Sequence, residues 1–77
     1  MDERFLEILE DIKPGVDYNT CTTLVDDHYL DSLSIISLVA DLEDEYDITI
    51  SAVEIVPENF NSAQNIWMMV QRLMQED

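Results

Sequence analysis

Apolar residues recur at helical spacing in three stretches of this chain, and between residues 14 and 30 no period of 3.6 or 2 persists. Phe5, Leu6, Ile8, Leu9 and Ile12 form the first stripe, with Glu7, Glu10 and Asp11 on the other face. Pro14-Gly15 ends that helix. The aperiodic stretch from Pro14 to Leu30 is a long loop, with Val16, Tyr18, Leu24 and Tyr29 as the residues able to pin it to a core. A loop beyond roughly 12–15 residues is usually functional or disordered.

The second helix is expected from about Ser32 to Tyr46, with Ile35, Leu38, Val39, Leu42 and Tyr46 within a narrow arc at about 100° per residue. Leu33, Ser37, Ala40 and Asp44 lie opposite, and Ile36, Asp41, Glu43 and Asp47 edge that outer face. A solvated face is ordinarily polar throughout, so Leu33, Ile36 and Ala40 among acids point to a docking surface. Scattered apolar exposure is the plainer alternative. Asp47-Ile48-Thr49-Ile50 reads as a short extended connection. Ser51-Ala52-Val53-Glu54 reads as the capping box of a brief third helix, which Pro57 closes by disfavouring helical geometry at Val56. Asn61-Ser62-Ala63-Gln64 reads as a capping signal for a fourth helix whose stripe is Ile66, Met69, Val70 and Leu73. Trp67 and Met74 flank that stripe as core residues. The expected fold is all-α: a small four-helix bundle with a long loop between helices 1 and 2 and a short third helix.

Composition limits what such a bundle does. The 77 residues contain one Gly and two Pro, which describes a single domain over residues 1–77 with one small core. A core of this size rarely yields more than about 3–5 kcal/mol of net stability, so a deep catalytic cleft is not expected. Eighteen acids against three basic residues give a formal charge of −15. That field repels nucleic acid and anionic membranes and attracts basic protein surfaces. A hydrophobic fraction of 47%, arranged periodically, argues against disorder. Cys21 is the single cysteine, so an internal disulfide or a thiol-built zinc site is ruled out. The start, Met1-Asp2-Glu3-Arg4, is acidic, and the longest apolar run, Ile66 to Val70, is far too short to span a bilayer. A cytoplasmic monomer is the expectation.

Enzymatic chemistry lacks parts. His28 is the one histidine, and a serine nucleophile needs a positioned base and an oxyanion site. Asp26, Asp27 and His28 form a polar loop rather than a rigid constellation. The acids Asp41, Glu43, Asp44, Glu45 and Asp47 lack the alternating oxygen ligands and central Gly of an EF-hand loop. The remaining candidate is Leu30-Asp31-Ser32-Leu33, which ends the loop and opens the second helix. Unpaired N–H groups and the helix dipole favour an anion there, so a phosphodiester on Ser32 suits the position. Asp and Ser are also ordinary helix caps.

Leu30-Asp31-Ser32-Leu33, followed by Leu38-Val39 and Leu42-Glu43-Asp44-Glu45-Tyr46-Asp47-Ile48, resembles the acyl carrier proteins and related aminoacyl carriers. The resemblance covers nearly the whole chain. It implies a 4′-phosphopantetheine arm, transferred from coenzyme A to Ser32, with cargo held as a thioester on the arm's thiol. It further implies that Asp31 and Leu33 belong to the motif read by a phosphopantetheinyl transferase. Leu33, Ile36, Ser37, Ala40, Asp41, Glu43 and Asp44 would then face partners: an adenylate-forming acyl or aminoacyl ligase, and acyltransferases or synthases with basic docking surfaces. Three positions depart from carriers of fatty acid synthesis, which often have acids where Ser34 and Ser37 stand and commonly a Gly at the place of Tyr29. With the Pro57-Glu58-Asn59-Phe60-Asn61-Ser62 segment, Leu30-Asp31-Ser32 looks more like stand-alone carriers loaded by adenylate-forming ligases, D-alanyl carriers included. A rival from another class is an acidic, non-enzymatic interaction protein; it explains the charge but not its position after an Asp-Ser-Leu helix start.

Overall fold

Asp2 opens the first helix: its Oδ1 accepts the Phe5 N–H at 2.8 Å, and α1 runs over Glu3–Ile12. The structure, a computed structural model, describes residues 1–75. Phe5, Ile8 and Leu9 are buried on one side of α1 while Glu7, Glu10 and Asp11 stay in solvent, so the stripe read from the sequence is the packed face. At the far end the Lys13 N–H donates to the Leu9 carbonyl, and the chain turns extended at Lys13. The buried Tyr18 hydroxyl lies 3.0 Å from the Leu9 carbonyl, which Lys13 also uses, and 2.5 Å from the carbonyl of Lys13 itself, just past the helix end. Burial, reinforced by the charge of Glu10, pushes this phenol up to about 12.

The connection from α1 to the second helix is ordered by three buried side chains, Tyr18, Leu24 and Leu30. Full burial of a Leu is worth about 1.5–3 kcal/mol, enough to offset ordering of a few loop residues. Tyr29, expected to pin the loop, is instead 41% exposed, and its neighbour Leu30 takes the core position. The cause is local. His28 adopts a left-handed φ of 64°, and its N–H closes a turn on the Val25 carbonyl, which shifts which residue faces inward.

The second helix, α2, spans Ser32–Tyr46, with Leu38 and Leu42 wholly buried. It lies antiparallel to α1: Arg4 Nε meets Glu45 at 3.2 Å and the Tyr46 hydroxyl donates to Asp2 at 3.0 Å, joining the start of one to the end of the other. Asp47, at φ 53°, closes α2 in a left-handed cap, and the Glu43 carboxylate accepts the Ile50 N–H at 2.8 Å. The connection therefore folds back on the helix it leaves.

The third element differs from expectation. Ala52–Glu54 forms a single 3-10 turn in which Ser51 makes no side-chain cap: the Glu54 N–H goes to the Ser51 carbonyl at 3.0 Å, and the Glu54 side chain turns toward Arg72 and Asn59. Val56 is extended, as a residue before proline should be, yet Pro57 opens rather than closes a helix: α3 spans Pro57–Phe60 with Pro57 in its first turn. The last helix, α4, spans Ala63–Gln75. Its start is capped by Ser62, whose Oγ accepts the Asn65 N–H at 3.1 Å, and not by Asn61. Ile66, Met69 and Val70 are buried. Trp67 sits edge-on to Tyr46 and tilted on Phe5, with centroids 5.8 and 5.0 Å away, locking α1, α2 and α4 together. Met74, expected to be core, is half exposed. Among the described residues there are four helices, one 3-10 turn and no strand, which is the all-α bundle the sequence predicts.

Candidate functional site

Ser32 is the first residue of α2, and its position is set from both sides. Before it, Leu30 is buried and its N–H donates to the Leu24 carbonyl at 2.8 Å, so the chain enters the helix from an anchored point. Asp31 is the N-cap: its Oδ1 accepts the Ser34 N–H at 2.8 Å. That backbone bond, with the Ser34 hydroxyl and the Leu33 N–H, holds the Asp31 carboxyl below the usual carboxylate range, and the charge of Lys13 adds to the effect. Lys13 closes α1, whose end lies beside the start of α2 in the antiparallel pair.

Ser32 itself is exposed, and among the described residues no group hydrogen-bonds its hydroxyl. A hydroxyl in that setting lacks the neighbouring base that would make it a nucleophile in its own right. His28 lies in the preceding turn and is exposed, with Asp27 bonded instead to Thr23 at 2.6 Å. The groups present fit a serine acted upon by another protein. Asp31 already takes first-turn N–H groups of α2, that of Ser34 on its carboxylate and that of Ile35 on its carbonyl, and nothing covers the Ser32 hydroxyl.

Leu33, next in sequence, is 76% exposed, and Ile36 one turn on is 63% exposed. Ser37, Ala40, Asp41 and Asp44 are exposed beside them on the same helix. Glu43 is half-buried, and its carboxylate is engaged by the Ile50 backbone, so it belongs to the seam between α2 and the following connection. Two strongly exposed apolar residues outside α2 were not singled out from sequence, Val53 on the 3-10 turn at 82% and Met68 on the last helix at 64%; the first lies inside an apparent capping box and the second beside the apolar stripe.

The loop is tied to the rest of the fold by a residue that sequence reasoning assigned elsewhere. Asn61, between α3 and α4, accepts from both the Val25 and Asp26 N–H groups through its Oδ1, each at 3.0 Å. Its carbonyl accepts the Leu24 N–H at 2.9 Å, and its Nδ2 lies 3.3 Å from the Asp26 carboxylate. An Asn beside a Ser just ahead of a helix has no sequence signal that tells such a cross-link from a cap.

Among the described residues no group of three or more His, Cys, Asp or Glu side chains is placed to hold a metal ion, and no helix is long and apolar enough to cross a membrane.

A four-helix bundle that presents an uncovered serine at a capped helix start, after a pinned loop, defines a carrier class rather than a catalyst. Residues 4–66 match the family described as the phosphopantetheine attachment site, and the chain belongs to that family. It is a carrier protein of the acyl carrier type, bearing a 4′-phosphopantetheine prosthetic group and serving partner enzymes that include a phosphopantetheinyl transferase. It carries rather than catalyses. Comparison with individually curated proteins gives no match.

Proposed function

We propose that Ser32 is the residue that bears the arm, and that residues 1–77 act as one carrier domain, a cytoplasmic monomer that does not bind nucleic acid. The observation that carries this reading is the exposed Ser32 hydroxyl at the first position of α2, between the capping Asp31 and the exposed Leu33. In the transfer, Ser32 Oγ forms the new bond to phosphorus, the pyrophosphate bond of coenzyme A breaks, and the adenosine half leaves. Base and metal come from the transferase. The thiol of the arm supplies the thioester chemistry. The chain's own residues supply the attachment point and the address.

Asp31 and Leu33 form the motif that the transferase reads, and the face with Leu33, Ile36, Ser37, Ala40, Asp41 and Asp44 docks partners, with Glu43 at its edge. The cargo is an acyl or aminoacyl group loaded by an adenylate-forming ligase and passed to acyltransferases or synthases with basic docking surfaces; transfer of D-alanine to a cell-wall polymer is one such use. The charge of −15 supports steering toward such surfaces. A flexible arm keeps cargo at high effective concentration near each docked active site.

Intact mass after incubation with coenzyme A, magnesium and a broad-specificity phosphopantetheinyl transferase is the test. Wild type gains one arm and Ser32→Ala gains none. An equal gain on both, or none on wild type, would falsify the assignment.

A further inference from the structure

Between α2 and α3 lies an apolar cavity of about 70 Å³, lined by Val25 and Ile35 on one side and by Ile55, Val56, Pro57 and Phe60 on the other. Pockets that take small molecules usually measure about 300–1,000 Å³, and one water occupies about 30 Å³ of liquid, so this space admits no long chain. What fixes its outer wall is polar. Arg72 on α4 grips Glu54 with both terminal nitrogens, Nη1 to Oε2 at 3.0 Å and Nη2 to Oε1 at 2.5 Å. Asn59 on α3 donates from Nδ2 to the Glu54 carbonyl at 2.8 Å and to its Oε1 at 3.3 Å.

The stretch between Glu54 and Asn59 is the cavity wall. Within it the Ile55 N–H reaches the Ala52 carbonyl at 3.1 Å, the Val56 N–H reaches Glu54 and the Asn59 N–H reaches the Val56 carbonyl at 3.0 Å, while Asn65 on α4 holds the Glu58 carbonyl at 2.9 Å; Val56 is extended. Beside the Asn65 bond from α4 to α3, the Glu54 carboxylate ties the 3-10 turn to both α3 and α4. The Arg72 hydrogen bonds hold the Glu54 carboxyl below the usual carboxylate range, as an engaged carboxylate should be.

We propose that Glu54, gripped by Arg72 and Asn59, is a clamp that keeps the Ile55–Pro57 wall closed against α2, so that this carrier presents short cargo in solvent and admits a long apolar chain only when the clamp opens. The cargo half of this inference rests on Ser32 bearing the arm; the clamp half does not.

Amide hydrogen exchange on the unmodified chain tests the clamp, using Glu54→Gln, Arg72→Gln and the double variant. An exposed charge pair of this kind is expected to change exchange at Ile55, Val56, Asn59 and Asn61 by roughly two- to fivefold. Each single variant should show that acceleration and the double variant no more, while Lys13 and Ile35 stay as in wild type. Arg72→Lys, which keeps the charge and loses the fork, should fall between. Unchanged exchange, acceleration spread equally to Lys13 and Ile35, or full additivity in the double variant overturns the clamp. On the loaded carrier, octanoyl and acetyl thioesters should give the same Ile35 and Ile55 methyl shifts in wild type, whereas in Arg72→Gln the octanoyl form should shift both. Equal octanoyl shifts in wild type and Arg72→Gln overturn the size limit. Failure of Ser32 to take the arm would show in the mass and leave the exchange result standing.

Discussion

Replacing Asn61 by Ala removes one side chain and takes acceptors from two backbone N–H groups thirty-five residues and more away in sequence, Val25 and Asp26. A typical intramolecular hydrogen bond contributes about 0.5–1.5 kcal/mol net. The Val25 amide is partly buried and sits at the upper end of that range; the Asp26 amide is exposed, so water replaces its partner and it sits at the lower end. The Nδ2 contact to Asp26 is exposed and long at 3.3 Å, and adds little. The sum is about 2 kcal/mol. For a domain holding about 3–5 kcal/mol, roughly half of the stability goes. At about 4–8 °C per kcal/mol, Tm falls by roughly 8–16 °C.

Circular dichroism at 222 nm gives the Tm, and amide exchange locates the loss. Val25 and Asp26 should exchange faster than any shift in global stability explains, while Leu30, bonded to the Leu24 carbonyl, follows global unfolding alone. Asn61→Asp separates acceptor from amide. Its carboxylate still accepts both N–H groups but meets the Asp26 carboxylate where an amide stood, so it should be less stable than wild type at neutral pH and recover as acid neutralises the pair. A fall in Tm of less than about 2 °C for Asn61→Ala, or unchanged exchange at Val25 and Asp26, refutes the cross-link.

Asp31 should titrate with a midpoint below its ordinary 3.8 in a carbon-detected pH series. Because the folded value is depressed, the stabilisation is complete above the ordinary value and is lost as pH falls through the depressed one. A midpoint at or above 3.8 contradicts the cap geometry. Asp31→Asn keeps the cap and loses the charge, so near-wild-type Tm with slower arm transfer would show that the transferase reads the carboxylate. Leu33→Ala and Ile36→Ala, at residues largely exposed, should move stability by no more than about 0.5 kcal/mol while weakening association with a loading ligase in a binding titration. Association of the wild type with that ligase should slow as salt rises through about 0.1 M, where the Debye length is near 10 Å; a rate indifferent to salt removes steering.

The end of α1 and the bounds of α2 were legible from an apolar stripe with a local signal beside it, Pro14-Gly15 after the first and Asp31 before the second, whereas the Asp2 cap that starts α1 was not singled out. Ser32 could be singled out for the same reason, since a capped start after a long loop is a local pattern. Where several short polar motifs crowd together, local rules underdetermine the outcome. Ser51 and Glu54 have box spacing, but Arg72 offers Glu54 two donors and an opposite charge, which a reach back to one N–H does not match. Val56 obeys the rule for residues before proline, and the same Pro57 is also fit to start a helix. The choice between Tyr29 and Leu30 depended on a left-handed His28 that no periodicity reports. These outcomes turn on tertiary partners many residues away.

On the proposed reading α2 is both strut and address, and its energetics suit both roles. Leu38 and Leu42 are wholly buried and contribute their transfer energy to the fold, about 1.5–3 kcal/mol each. Leu33 and Ile36, 76% and 63% exposed, leave most of theirs unused in the free chain. On the proposed docking face that remainder becomes available only when a partner covers them, about 2–4 kcal/mol for the pair. That alone is weaker than millimolar binding once the cost of association is subtracted. Steering by the acidic surface adds to the encounter rate more than to the lifetime. A carrier that must leave one enzyme to reach the next needs that combination, fast arrival and short residence. It also needs a fixed platform, and the proposed attachment serine, Ser32, has one at the start of a helix held by Asp31, Leu30 and the Asn61 cross-link, with the flexibility left to the arm.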